Sequence, residues 1–358
     1  MYQNYDAALS KTIMFLRFPL IVSVVFIHAG LEGVVIGGNV TVHDGQFPIY
    51  ESVYHVITNE IARVSVPLFF FISGFLFFYR TDFSMKAYGQ KLKKRVRTLL
   101  VPYVFWNAAA LLAFVTIQIF MPSLTSGNNK PILDYGLPDY LDLFWGHPIS
   151  YQFWFIRDLM VVVLVSPLVY WLLKFGKSYV VALLGALWIS GLQVDIPGFG
   201  IVAFFFFSFG AWFSINRRNF AVDFSRFRYT ASVVYPILVA ASTLLWHLNI
   251  DDRQIVHNVG IIAGLVLVVS WSAHGIMTGR LRANAFLADS SFFIFAYHGM
   301  PAFFFVKLYV TLLRPASESA MFASYLLIPL VTIGLGIAIY VVLRRYLPAF
   351  TAFITGGR

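Results

Sequence analysis

Residues 56–97 read VITNEIARVSVPLFFFISGFLFFYRTDFSMKAYGQKLKKRVR. The first part, 56–79, carries only Glu60 and Arg63 as charged residues. A helix needs about 20 mainly apolar residues to cross the hydrocarbon of a bilayer, and this stretch is long enough. The second part, 80–97, holds Arg80, Lys86, Lys91, Lys93, Lys94, Arg95 and Arg97. Loops facing the cytoplasm collect Lys and Arg. The stretch therefore predicts a membrane helix that ends on the cytoplasmic side, then a basic loop, then a second crossing over 98–120.

Outward from there the same pattern repeats. The 358-residue chain is 59% hydrophobic and 12% charged, against roughly 45–50% and about 25% in soluble chains. Its mean hydropathy is +0.77. Ten apolar segments emerge: 12–31, 56–79, 98–120, 152–173, 178–194, 198–215, 229–248, 255–277, 288–312 and 320–343. The shortest, 178–194 and 198–215, flank Asp195-Ile196-Pro197-Gly198 and read as a hairpin or as two tilted helices.

The loops alternate in charge. One parity holds the 80–97 cluster, then Lys174 and Lys177, then Arg217, Arg218, Arg226 and Arg228, then Arg280 and Arg282, then Arg344, Arg345 and Arg358. The other holds Glu32, Asp44, Glu51, Asp134, Asp139, Asp142, Asp195, Asp251, Asp252 and Glu318, with Lys130, Arg253 and Arg314 as its few cations. The expected fold is all-α: one membrane domain over 1–358, about ten transmembrane helices, both termini cytoplasmic and no appended soluble domain. The net charge of +10 then records topology and a bilayer as partner, not nucleic acid. With no cysteine, thiolate nucleophiles and cysteine-bound metals are excluded. The first apolar segment lacks a small-residue cleavage site and reads as a retained helix. The longest outer loops are 32–55 and 121–151. The Phe runs, such as Phe204–Phe207, read as lipid-facing and packing bulk.

Ionisable residues inside spans cost roughly 2.5–3.5 kcal/mol each at a helix centre. Arg17 and His28 have ten residues between them. In an α-helix that is three turns plus about 20°, which puts both on one face roughly 16 Å apart. The plain alternative is a snorkelling arginine and a hydrogen-bonded histidine. Glu60 and Arg63 are spaced to pair at i, i+3, as an ion pair or as site residues. Pro67 is expected to kink its helix, and Ser73-Gly74 to permit close packing. Lys94, Arg95 and Arg97 mark topology and can also bind phosphates at the cytoplasmic mouth. Adjacent Arg157 and Asp158 must point to different helices. His298 falls near mid-membrane and is structural or functional. His247, His257 and His274 lack metal-ligand spacing, and HExxH, Walker and GxSxG motifs are absent, so no metal is expected.

Several stretches together resemble the acyltransferase-3 family of integral-membrane acyltransferases. They are Arg17 and His28, Val66-Pro67-Leu68-Phe69-Phe70-Phe71-Ile72-Ser73-Gly74-Phe75, the basic run into Pro102-Tyr103, Phe153-Trp154-Phe155-Ile156-Arg157, and Phe293-Ile294-Phe295-Ala296-Tyr297-His298. The resemblance covers nearly the whole chain. It implies a ten-helix fold in a bacterial cytoplasmic membrane and acyl transfer from cytoplasmic acyl-CoA, typically acetyl-CoA. The implied acceptor is a sugar hydroxyl of a cell-envelope glycan or a lipid-linked precursor. Glycan biosynthesis or export proteins are the implied partners. The family's Arg and His fall on Arg17 and His28.

A hydroxyl needs a general base, and His28 is the expected one. Lys94, Arg95 and Arg97 would hold the CoA phosphates. Glu60, Arg63, Trp154, Arg157, Asp158, Tyr297 and His298 are candidates for orienting the acceptor or stabilising the oxyanion. A transporter or flippase for a lipid-linked sugar would also need buried charges, and a non-catalytic assembly subunit would account for the topology but not for the aligned Arg17 and His28.

Overall fold

The computed structural model describes residues 2–31, 34–36, 39–43, 45–121, 130–250 and 253–357. Glu32, Asp44, Asp251, Asp252 and Arg358, counted above in the loop charges, lie outside the described residues. Among the described residues the regular structure is helical apart from a short antiparallel pair, β1 (Val35–Ile36) and β2 (Asn39–Val40). Its helices are α1 (Tyr2–Ile27), α2 (Pro48–His55), α3 (Ser65–Phe78), α4 (Met85–Arg95), α5 (Val101–Phe120), α6 (Leu137–Leu141), α7 (Trp154–Leu164) and α8 (Ser166–Ile189). They continue as α9 (Ile201–Ile215), α10 (Phe220–Ser225), α11 (Arg228–His247), α12 (Arg253–Met277), α13 (Ala285–Tyr297), α14 (Gly299–Leu313), α15 (Glu318–Tyr346) and α16 (Pro348–Thr355).

Seven helical stretches among the described residues are long and apolar enough to cross a membrane: Asp6–Ile27, Pro48–Phe78, Met85–Phe120, Ser166–Ile189, Arg228–His247, Arg253–Met277 and Glu318–Tyr346. The pair α13–α14 makes an eighth if counted as one broken span, and α9 is a shorter apolar helix. Three sequence expectations change here. The 288–312 segment is not one rod but bends by 61° at His298. The 152–173 segment is interrupted at Val165, between α7 and α8. Pro67 does not kink a helix interior: α3 starts at Ser65, so Pro67 lies in its first turn, where a missing N–H costs nothing. Residues 56–64 before it wind as a π-helix (Val56–Ile61) and a 3-10 turn (Ala62–Val64).

Two compact units form. The first comprises Met1–Ser23, Val56–Val96 and Asp158–Ser291. Its centre is the crossing of α3 and α9. A Cβ on Gly74 would lie 2.0 Å from the Phe207 carbonyl oxygen, and one on Gly210 would lie 1.9 Å from that of Phe71. Two glycines thus let the backbones touch, which is how membrane helices gain packing without a hydrophobic driving force. The expected role of Ser73-Gly74 in close packing fits this contact. Phe205, Phe206 and Phe207 are buried, so that part of the Phe run packs helices. Phe220 meets Phe71 and Phe75 edge-on at 5.0 and 4.8 Å. Lys91 donates to the Phe77 carbonyl at the end of α3, capping it with a cation.

The second unit comprises Val24–His55, Arg97–Arg157 and Phe292–Arg358. Here aromatic rings and polar caps join glycine contacts such as that of Gly356 on the Thr98 backbone. Phe26, Tyr50 and Tyr54 each meet Tyr325 edge-on, at 5.6, 6.1 and 5.2 Å. Glu318, at the start of α15, accepts from the backbone N–H groups of Ile49 and Tyr50 at 3.1 and 2.7 Å. That carboxylate satisfies the free N-terminal donors of α2. At the chain's end α16 folds against α5, where Trp106 Nε1 donates to the Ile354 carbonyl at 3.0 Å.

Candidate active site

The break between α13 and α14 places a histidine where a helix has just ended. His298 is fully buried. Its Nδ1 faces two carbonyls, Phe295 O at 2.7 Å and Ile294 O at 3.2 Å. Carbonyls only accept, so Nδ1 carries the proton. In the neutral ring Nε2 is then an acceptor, and it lies 3.1 Å from Nδ1 of His28. His28 Nδ1 must therefore donate, which leaves the lone pair of His28 on Nε2. Backbone geometry at a helix break thus sets the tautomer of a side chain 270 residues away in sequence. Irregular backbone at membrane depth is tolerated where protein buries it.

His28 sits immediately after α1, whose last residue is Ile27. Its N–H bonds the Val25 carbonyl at 3.1 Å, so the last turn tightens there. Its ring is half-buried and lies 4.8 Å, centroid to centroid, from Tyr151. Beside His298, Gln152 is buried and donates from Nε2 to the Ala296 carbonyl at 3.1 Å. Its Oε1 is buried without a hydrogen-bond partner among the described residues. Gly299 admits this amide: a Cβ there would lie 2.4 Å from Gln152 Oε1. Tyr151 and Gln152 were given no role by sequence reasoning. Their only signal was their position directly ahead of Phe153-Trp154.

The other candidates fare differently. Arg17 is exposed on α1 and makes no hydrogen bond or ion pair with the described residues. Lys94 and Arg97 are exposed and Arg95 is half-buried. Arg157 is buried, and its Nη1 donates to the carbonyls of Trp145 and Gly146 at 2.9 and 2.6 Å, which ties down the 142–146 turn. Asp158 turns elsewhere, with Oδ2 lying over Gly200, 2.6 Å from where a Cβ would be. Trp154 is half-buried. Tyr297 is half-buried and stacks on Phe293 at 5.8 Å.

Glu60 has partners other than the expected one. One carboxylate oxygen accepts from Ser242 Oγ at 2.7 Å, and the other lies 3.0 Å from His257 Nδ1. Tyr235 adds a bond to the Glu60 carbonyl at 3.3 Å. Arg63 is exposed and reaches Asn59 at 3.3 Å. The i, i+3 rule fails because these residues are not on a regular α-helix. His257, set aside for lacking metal-ligand spacing, is instead a carboxylate partner. Its signal was invisible in sequence because Glu60 lies 197 residues away. No group of three or more His, Asp or Glu able to hold a metal occurs among the described residues.

The helices define a multi-pass membrane protein, and the imidazole pair puts acid–base groups just past the end of α1 and at the break between α13 and α14. A family model described as an acyltransferase domain matches residues 11–343, and the chain belongs to the acyltransferase-3 family. Over 168 residues it is 27% identical to the succinoglycan biosynthesis protein ExoH of Rhizobium meliloti (strain 1021), a match covering 46% of this chain and 43% of that protein. No solved structure matches.

Proposed function

We propose that this protein moves an acetyl group from cytoplasmic acetyl-CoA to a hydroxyl of a cell-envelope or exported glycan, or of its lipid-linked precursor, in a bacterial cytoplasmic membrane. The observation that carries the proposal is the His28–His298 pair, 3.1 Å apart. The name of the relative, a succinoglycan biosynthesis protein, supports a glycan acceptor. The topology proposed with it has ten crossings and two cytoplasmic termini. In it the break at Lys177, where φ is 50°, splits α8 between two spans, and α13–α14 count as one.

The chemistry follows from the tautomer. The acceptor O–H gives its proton to Nε2 of His28 as its oxygen bonds to the thioester carbonyl carbon. The tetrahedral oxyanion collapses, the C–S bond breaks, and sulfur keeps the electron pair. The imidazolium proton then passes to the CoA thiolate. Throughout, Nδ1–H of His28 keeps donating to His298, so the ring does not turn as its charge changes. A base so held contributes about 10²–10⁴-fold. Gln152 Oε1 and the Tyr151 ring are suited to orient the acceptor. Arg157 serves by fixing the 142–146 turn. Arg17 offers an uncommitted guanidinium to the donor, and Lys94, Arg95 and Arg97 a basic surface to its phosphates.

The test is turnover of acetyl-CoA by the purified full chain in nanodiscs with a polysaccharide acceptor. His28→Ala is expected to cut kcat by about 10²–10⁴-fold with the fold intact. Full turnover in that variant overturns the proposal, as does an unaltered wild-type acetyl-CoA pool, which a transporter would give.

A further inference from the structure

The first unit contains a cavity of about 750 Å³ that no residue of the imidazole site lines. Its walls come from the starts of α1 and α10, the ends of α3 and α9, α8, and the 79–83 and 217–219 turns. These turns belong to the basic, cytoplasmic parity of loops. Ligand pockets run to about 300–1,000 Å³, so the space suits a medium-sized molecule.

Three features identify the chemistry it would take. First, Arg80, Arg217 and Arg218 all line it, beside Asp6, Asp82 and Asp223. Arg218 is held firmly: Nε bonds Asp223 at 2.8 Å, and its guanidinium lies over the Trp212 ring at 5.2 Å. Arg80 is held by Asp6. Arg217 is not held so. Its contact to Asp82 is 3.6 Å long, with side chains 87% and 100% exposed. Such pairs contribute little, so this guanidinium is available to an incoming anion as a two-pronged donor. Second, Tyr170 stacks on Phe83 at 4.3 Å and 21°, with Phe78 behind it at 6.0 Å and 24°. These near-parallel rings form a wall of the kind on which a base stacks. Third, Ser214 lines the cavity with its Oγ buried and without a hydrogen-bond partner among the described residues. Buried hydroxyls normally find a partner, and a bound ligand would supply one.

We propose that this cavity seats the nucleotide end of the acyl donor, with the purine against Phe83 and Tyr170 and phosphate on Arg217. The proposal rests on the acyl-CoA reading above and refines it: Lys94, Arg95 and Arg97 then act as a collecting surface outside the seat. A lipid headgroup shares the phosphate but not the purine.

Binding of CoA to the full chain in nanodiscs decides it, with adenosine 3′,5′-bisphosphate and pantetheine as separate probes. Arg217→Gln should weaken CoA and the bisphosphate about tenfold, the worth of one charge-assisted bond, and leave pantetheine unchanged. Phe83→Leu should weaken the same two probes by a smaller factor. Ser214→Ala should raise the Tm of the free protein and shrink the Tm rise that CoA induces, because it removes a hydroxyl that only the ligand satisfies. CoA binding that is normal in Arg217→Gln and Phe83→Leu but lost in Lys94→Gln overturns this assignment alone. A wild type that binds no CoA overturns the donor reading with it. If the bisphosphate fails to compete and Arg217→Gln changes only retention of phosphatidylglycerol, the cavity is a headgroup site and the proposal falls.

Discussion

Each unit fixes a histidine with a side chain from elsewhere in its sequence, and the partners differ. In the second, the hydrogen-bond partners of His298 among the described residues are two carbonyls and the His28 ring. In the first, His257 meets the carboxylate of Glu60, which a serine hydroxyl also bonds. A ring fixed by carbonyls passes a defined tautomer to its neighbour. A ring fixed by a carboxylate is one half of a buried polar tie. The first arrangement suits proton transfer, and the second suits holding π-helical backbone to α11 and α12. The same residue type therefore does different work according to the charge of what faces it.

Variants can break that contrast. The largest effect is expected at the imidazole pair: His298→Asn should lower kcat by removing the acceptor that orients His28, though less than His28→Ala, with Tm moving little. A large Tm loss with kcat intact would make the pair structural instead. Gly74→Ala comes next. Its Cβ has no room against the Phe207 carbonyl, and overpacking of this kind costs about 1–3 kcal/mol. The second unit offers the control, since a Cβ on Gly334 in α15 meets nothing within 4 Å. Gly334→Ala should leave stability level or raise it by about 0.5–1 kcal/mol. Thermal unfolding in detergent reads both.

Glu60→Ala should lower stability by about 1.5–3 kcal/mol, because Ser242 and His257 lose a shared partner. A loss of turnover with unchanged Tm would instead move Glu60 into the reaction. The smallest effect is at Asp139 in the first turn of α6. The Gly136 N–H, and after it Lys130, hold its carboxyl below the usual carboxylate range. A lowered pKa contributes above the ordinary carboxylate value and is lost as pH falls through the lowered one. The protection factor of the Gly136 amide, its exchange rate taken relative to the intrinsic rate at the same pH, should therefore fall on acidification in the wild type and be low at every pH in Asp139→Asn.

How much was legible beforehand depends on range. Composition and loop charge give helices and their number of candidates, because a bilayer imposes length and polarity on each span separately. Family membership was legible too, from Arg17, His28 and a handful of short stretches. Local windows could not show that α3 begins only at Ser65 or that α13 stops at Tyr297. Those boundaries depend on which carbonyls and glycines a neighbouring helix presents.

By itself, then, the sequence determined an all-helical membrane protein of the acyltransferase-3 family and pointed to His28. Tertiary structure alone decided that His298 is its partner, that Glu60 answers to Ser242 and His257 rather than Arg63, and that three arginines share one cavity with a stack of rings. The physical reason is that apolar periodicity is set residue by residue, whereas a hydrogen bond between side chains hundreds of residues apart exists only once the packing has chosen which faces meet.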